Sequence, residues 1–255
     1  MQLIKKRIMK SIKVLLLFLV GILAFQSTSI AQPDDEYNDL LFLLVDAKYD
    51  KLLYKSMSYI EDEETRRDPL PYLYISMCYY EMSKLEEYDE EFPRAFKDAV
   101  KYCVKYRKKD ASGFYVAENA EYIDDLKIQT YEIAENYFQI NKVSKAKSYY
   151  KYLVGMDPGD WGSWLLKGVT EASLNMKSES KISFSNGMKG IENLENIDDY
   201  WEGQVMLLKM GIISYSEYLK ENGKINEAKQ LMALGYEFLK DDNEYKIVYD
   251  DIMRA

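Results

Sequence analysis

Residues 131–161, YEIAENYFQINKVSKAKSYYKYLVGMDPGDW, restrict the fold of this chain more than any other stretch. Apolar and aromatic residues recur there at spacings of three and four, which predicts amphipathic helices rather than strands. Small residues stand at Ala134 and Ala146, and large aromatics at Tyr137 and Tyr150. Two helices lying side by side need this arrangement. The alanines let the backbones approach, and the aromatic rings fill the gaps beside them. Asp157-Pro158-Gly159 stops the second helix, and Asp160 is placed to cap the next one. The same spacing recurs along the chain, and with only 12 Gly and 5 Pro in 255 residues there is little turn chemistry for an all-β fold. The chain reads as all-α.

At these positions the stretch resembles a tetratricopeptide repeat, a unit of about 34 residues folded as two antiparallel helices. With Pro158 at the family's thirty-second position, Ile133 and Ala134 take the seventh and eighth, Tyr137 the eleventh, Ala146 the twentieth and Tyr150 the twenty-fourth. The next unit follows in phase with Trp164, Gly168 and Phe184, and departs from the pattern at Glu171 and Ser180. A later unit carries Gly223 at its turn and Ala228 in its second helix. Asp199 with Glu202 resembles a capping pair opening its long first helix. Upstream, Ala47, Tyr49 and Leu52 hold the places usually taken by Gly, an aromatic and Ala. Pro71 suits a first helical turn, a following helix is expected to begin near Pro93, and residues 108–119 read as a linker.

The resemblance implies a right-handed α-solenoid of antiparallel helix pairs with about ten or eleven helices. Its units would fall at about 36–68, 69–110, 119–160, 161–196 and 198–241, within one domain over 32–255. A helix over 243–254, with Tyr245, Val248 and Ile252 along one face, would close the open end.

Residues 1–31 read as a segment removed before folding. Lys5, Lys6, Arg7, Lys10 and Lys13 precede an apolar run from Val14 to Phe25, and Ser29 and Ala31 follow. That is the pattern of a secretory signal peptide cut before Gln32, since a spanning helix needs roughly 20 apolar residues. The expectation is a periplasmic or secreted protein with no membrane span after cleavage. Losing these five basic residues and no acidic one takes the formal net charge from −9 to −14. A chain that acidic repels nucleic acid and anionic lipid at long range.

Nothing in the sequence points to a reaction. There is no histidine, which removes Ser-His-Asp and Cys-His catalysis and imidazole metal sites. Two cysteines cannot make a four-thiolate zinc site, and no phosphate loop, dinucleotide fingerprint or nucleophile elbow occurs. The acidic runs 34–37, 61–64 and 241–245 read as solvated surface. No catalytic residue, cofactor or metal ligand is therefore expected. Trp161, Trp164 and Trp201 suggest a sugar-stacking platform or, for Trp164 above all, packing. Cys78 and Cys103 suggest a disulfide, which export would permit, or two buried thiols.

The resemblance implies a non-enzymatic protein–protein interaction scaffold of the bacterial cell envelope. Its first helices would line a groove for a peptide or helix from a partner, with basic residues to match acidic flanks. The family's groove positions fall on Tyr131, Glu135 and Phe138, on Leu165, Val169 and Ala172, and on Ile213, Glu217 and Lys220. The alternatives are a glycan-binding protein of the outer membrane built on the same helices and an all-α enzyme working through carboxylates. The sequence leaves the oligomeric state open.

Overall fold

A computed structural model describes residues 37–255, so the export signal and the start at Gln32 lie outside the described residues. The described chain is helical throughout and contains no strand. Its helices are α1 (Asn38–Val45), α2 (Tyr49–Glu61), α3 (Pro69–Met82), α4 (Ala95–Lys109), α5 (Phe114–Glu118) and α6 (Ala120–Gln139). They continue as α7 (Val143–Met156), α8 (Trp161–Ser173), α9 (Lys177–Glu192), α10 (Glu202–Glu221), α11 (Ile225–Leu239) and α12 (Asn243–Arg254). These twelve exceed the expected number by the five-residue α5, which lies in the stretch read as a linker. That stretch is organised by the buried Asp110, whose carboxylate accepts from the backbone N–H of Gly113 at 3.1 Å and of Val116 at 2.8 Å.

Four of the hairpin turns are built alike. Ala47, Asn141, Asn175 and Gly223 all have left-handed backbones, with φ of 53°, 56°, 59° and 74°. In each case the next residue donates its N–H to the carbonyl five residues back: Lys48 to Leu43, Lys142 to Tyr137, Met176 to Glu171 and Lys224 to Leu219, at 2.8–2.9 Å. This bond satisfies a carbonyl that the ending helix would leave orphaned. The residue five positions after each left-handed one is buried: Leu52, Ala146, Ser180 and Ala228. The α3–α4 connection departs from this pattern. It runs through a short 3₁₀ turn at Glu86–Tyr88, and α4 starts at Ala95, two residues past Pro93.

Asp160 caps α8 by accepting from the Ser163 N–H at 3.1 Å. The start of α10 corrects an expectation, because Asp199 does not cap it. The helix begins after Trp201, whose N–H donates to the Gln204 side chain at 3.1 Å. The second and third peptide groups of α10 instead meet a side chain from another helix: Asp124 of α6 accepts from the Gly203 N–H at 2.7 Å. A carboxylate that close to the positive end of a helix is stabilised by it.

Within the unit Asp39–Ala255, most helices adjacent in sequence pack as neighbours, α9 and α10 being an exception. Beyond that, α4 also packs on α7, and α10 lies across α8 and touches α6. The apolar interior has two parts. One gathers residues of α3, α4, α6 and α7 around Tyr106, Leu126 and Tyr150, and the other gathers α10, α11 and α12 around Ile212, Leu231 and Tyr245. Neighbouring residues on α8 serve both, Leu166 the first and Leu165 the second. Leu207 and Leu208 divide in the same way on α10.

Cys78 and Cys103 are both buried free thiols. The Cys78 Sγ donates to the Tyr49 carbonyl of α2 at 3.2 Å. Burial pushes both thiols up to about 12, which disfavours the thiolate form.

Candidate functional site

The groove positions are split by the structure. Tyr131, Leu165, Val169 and Ile213 are buried, at 8%, 0%, 8% and 6% exposure. Tyr131, Leu165 and Ile213 therefore contribute to the interior rather than to an open surface. Tyr131 packs its ring 6.4 Å from that of Tyr150. Lys220 is held by Asp251 of α12 in an ion pair of 2.7 Å, and Ala172 stands near the end of α8. The remaining positions converge. Glu135 and Phe138 from α6, Val169 from α8 and Glu217 from α10 line one cleft of about 210 Å³.

Helical spacing explains the convergence. Glu217 and Glu221 are one turn apart and share a face of α10, and both line the cleft with Tyr218 between them in sequence. Glu135 is oriented by its neighbours: it accepts from the Tyr150 hydroxyl at 3.0 Å and from the Gln139 amide at 3.2 Å. Burial, and then the Glu135 charge, push the Tyr150 phenol far above its ordinary value, so it remains a donor. Glu217 is different. It makes no ion pair or hydrogen bond among the described residues. Its own burial and the charge of Glu221 raise its carboxyl above the usual glutamate value, and Lys220 offsets this only in part. The cleft thus combines an unpaired, solvent-accessible carboxylate, a second one held in place, a third at its rim and the Phe138 ring. Such a surface attracts a cationic group on an apolar stem.

Sequence reasoning missed Tyr150, Tyr218 and Glu221 as cleft residues. Glu221 was within reach, because it lies four residues after Glu217 on the same helix face. It also missed a buried charge cluster. Lys127 of α6 is almost fully enclosed, with its ammonium 2.9 Å from both Asp157 and Asp160. Burial alone would lower its pKa, but the two aspartates outweigh it and keep the lysine charged. The cluster ties α6 to the α7–α8 junction, and Gln204 of α10 joins it by donating to Asp157 at 3.2 Å.

The tryptophans do not form one platform. Trp161 and Trp164 share a cleft of about 640 Å³ with Asn186 and Asn193, whereas Trp201 stands apart, 46% exposed, beside Asp199 and Gln204. Trp164 is only half-buried, and its indole donates to the Pro158 carbonyl at 3.0 Å. Among the described residues no group of three or more His, Cys, Asp or Glu side chains is placed to hold a metal ion. None of the described helices is long and apolar enough to cross a membrane. No protein-family model matches the chain, and no curated protein matches it either.

Proposed function

We propose that this chain is an exported, non-enzymatic interaction scaffold of the bacterial cell envelope, built from tetratricopeptide-like helix pairs. Its partner is a peptide or helix bearing Lys or Arg, which seats in the cleft between α6, α8 and α10. The observation that carries the reading is the convergence of three carboxylates on one cleft, Glu135, Glu217 and Glu221, of which Glu217 makes no ion pair or hydrogen bond among the described residues. Like charges converging on one cleft repel each other, and a partner's cation would relieve that repulsion. The four matching turns support the repeat, because each sets a buried residue at the same offset.

Calorimetric titration tests the site with an amphipathic peptide bearing lysines and its norleucine counterpart. The lysine peptide should bind more tightly, and Glu217→Gln should weaken it by about tenfold or more, as loss of a desolvated charge pair does. Equal binding to the wild type and to Glu135→Gln, Glu217→Gln and Glu221→Gln would reject the cleft. Export is tested separately by sequencing the N-terminus of the protein from its native envelope fraction. Gln32 is expected there, and an intact Met1 on cytosolic protein would reject export.

One observation favours a second reading. Two indoles one helical turn apart, with two asparagines opposite, suit the face and hydroxyls of a sugar ring. Oligosaccharide titration monitored by tryptophan fluorescence, lost in Trp164→Ala, would support it.

A further inference from the structure

A third cleft, of about 730 Å³, opens between the start of α4 and the α6–α7 hairpin. Its lining mixes polar residues with a set of large apolar and aromatic ones, Phe92 and Phe96 together with Tyr137, Tyr149 and Ile140. Tyr137 and Tyr149 stack with ring centroids 5.8 Å apart, and Ile140 is 53% exposed. Arg94, Lys97 and Lys145 also line the cleft, with Asp89 as the one carboxylate among its lining residues. None of the three cations forms an ion pair with a carboxylate among the described residues. Lys145 has only the Tyr137 ring, 5.2 Å from its ammonium. The chain as a whole carries a formal charge of −9, and among the residues lining the cleft, three cations against one carboxylate, that sign is reversed. The first turns of α4 and α7 bring the positive ends of two helices toward it.

We infer that this cleft docks a short acidic segment of a partner protein, with an aromatic or aliphatic side chain seated among the rings and flanking carboxylates on Arg94, Lys97 and Lys145. Charge complementarity selects the sign, and the volume, within the range of about 300–1,000 Å³ for ligand pockets, leaves room for an anchoring side chain. The chain's overall negative charge argues against a polyanion such as nucleic acid or an anionic bilayer, which its other surfaces would repel. A short segment touches only the cationic patch. This docking is independent of the cation-binding cleft proposed above and opposite to it in charge.

Fluorescence polarisation on the full chain tests the inference. The probe is a labelled pentapeptide with a central Phe flanked by Asp and Glu, compared with its Asn and Gln analogue. The acidic peptide should bind more tightly, lose affinity as salt rises, and weaken by at least about tenfold in Arg94→Glu/Lys145→Glu. Glu217→Gln should leave it unchanged, which separates this site from the other cleft. If the double reversal perturbs the thermal melt, Lys97→Gln/Lys145→Gln serves in its place. Equal affinity for the two peptides, or unchanged affinity in a folded variant, would overturn the inference. So would self-association of the chain that the double variant abolishes without peptide binding, which would assign the cleft to a second copy.

Discussion

Gly162 of α8 and Gly211 of α10 meet backbone to backbone. A Cβ on Gly211 would come within 2.4 Å of the Gly162 carbonyl oxygen, and one on Gly162 within 2.0 Å of the Leu207 carbonyl oxygen. Neither neighbour is a side chain that could turn aside. Glycine is required at this crossing because the helix axes would otherwise have to separate.

Gly211→Ala should therefore destabilise the fold by about 1–3 kcal/mol, the usual cost of overpacking. Gly155→Ala is the control. Its Cβ would meet only the methyl groups of Val104, at 3.0 Å, and a side chain can shift. Thermal melts of both variants check this, and equal melting points would show that the crossing relaxes freely.

Lys127→Met should cost about 3–5 kcal/mol, since it leaves Asp157 and Asp160 facing each other without a cation in a buried site. The combined change Lys127→Met/Asp157→Asn/Asp160→Asn should recover part of that loss, because the uncompensated charges are gone. Denaturant unfolding measures both. A triple variant no better than the single one would mean that Lys127 acts through its packing.

Ala47 occupies a left-handed backbone that its Cβ disfavours. Ala47→Gly should thus stabilise the α1–α2 hairpin, by up to about 1 kcal/mol once glycine's greater freedom in the unfolded chain is deducted. Gly223→Ala, at the equivalent turn, should lose a similar amount. Urea midpoints of the two variants should move in opposite directions.

Glu217 gives a pH dependence with a definite sign. Its carboxyl is raised in the folded state by burial and by Glu221, so the folded chain holds the proton more tightly than the unfolded one. Its contribution to stability therefore falls as pH rises from the ordinary glutamate value through the raised one. Glu217→Gln should be the more stable protein at neutral pH, by less than about 1 kcal/mol because water still reaches the group. The difference should vanish in acid. A melting series across pH checks the crossover.

The all-helical character was legible because it rests on local spacing. Ala134, Ala146 and Tyr150 are buried where the spacing put them, and Asp160 is a cap whose acceptor and donor lie three residues apart. What was not legible depends on distant partners. The cap of α10 comes from Asp124, 79 residues away, and no local pattern announces it. Lys127 was not singled out, although its position beside Ile123, Leu126, Thr130 and Ala134 on the buried stripe of α6 marks it as inward-facing. Part of the expected groove is buried for a related reason. A family register gives the face of a helix, but not whether a neighbouring helix covers that face, and the α8–α10 crossing encloses Leu165.

The division of Leu165 from Leu166, and of Leu207 from Leu208, makes α8 and α10 members of both apolar interiors at once. Neither interior can open without disturbing a helix that the other also holds. Slow amide exchange should therefore be concentrated in these two helices, with α1–α2 and α12 exchanging by cheaper, separate openings. On this expectation the peripheral helices can breathe while the pair at the crossing holds the unit Asp39–Ala255 together.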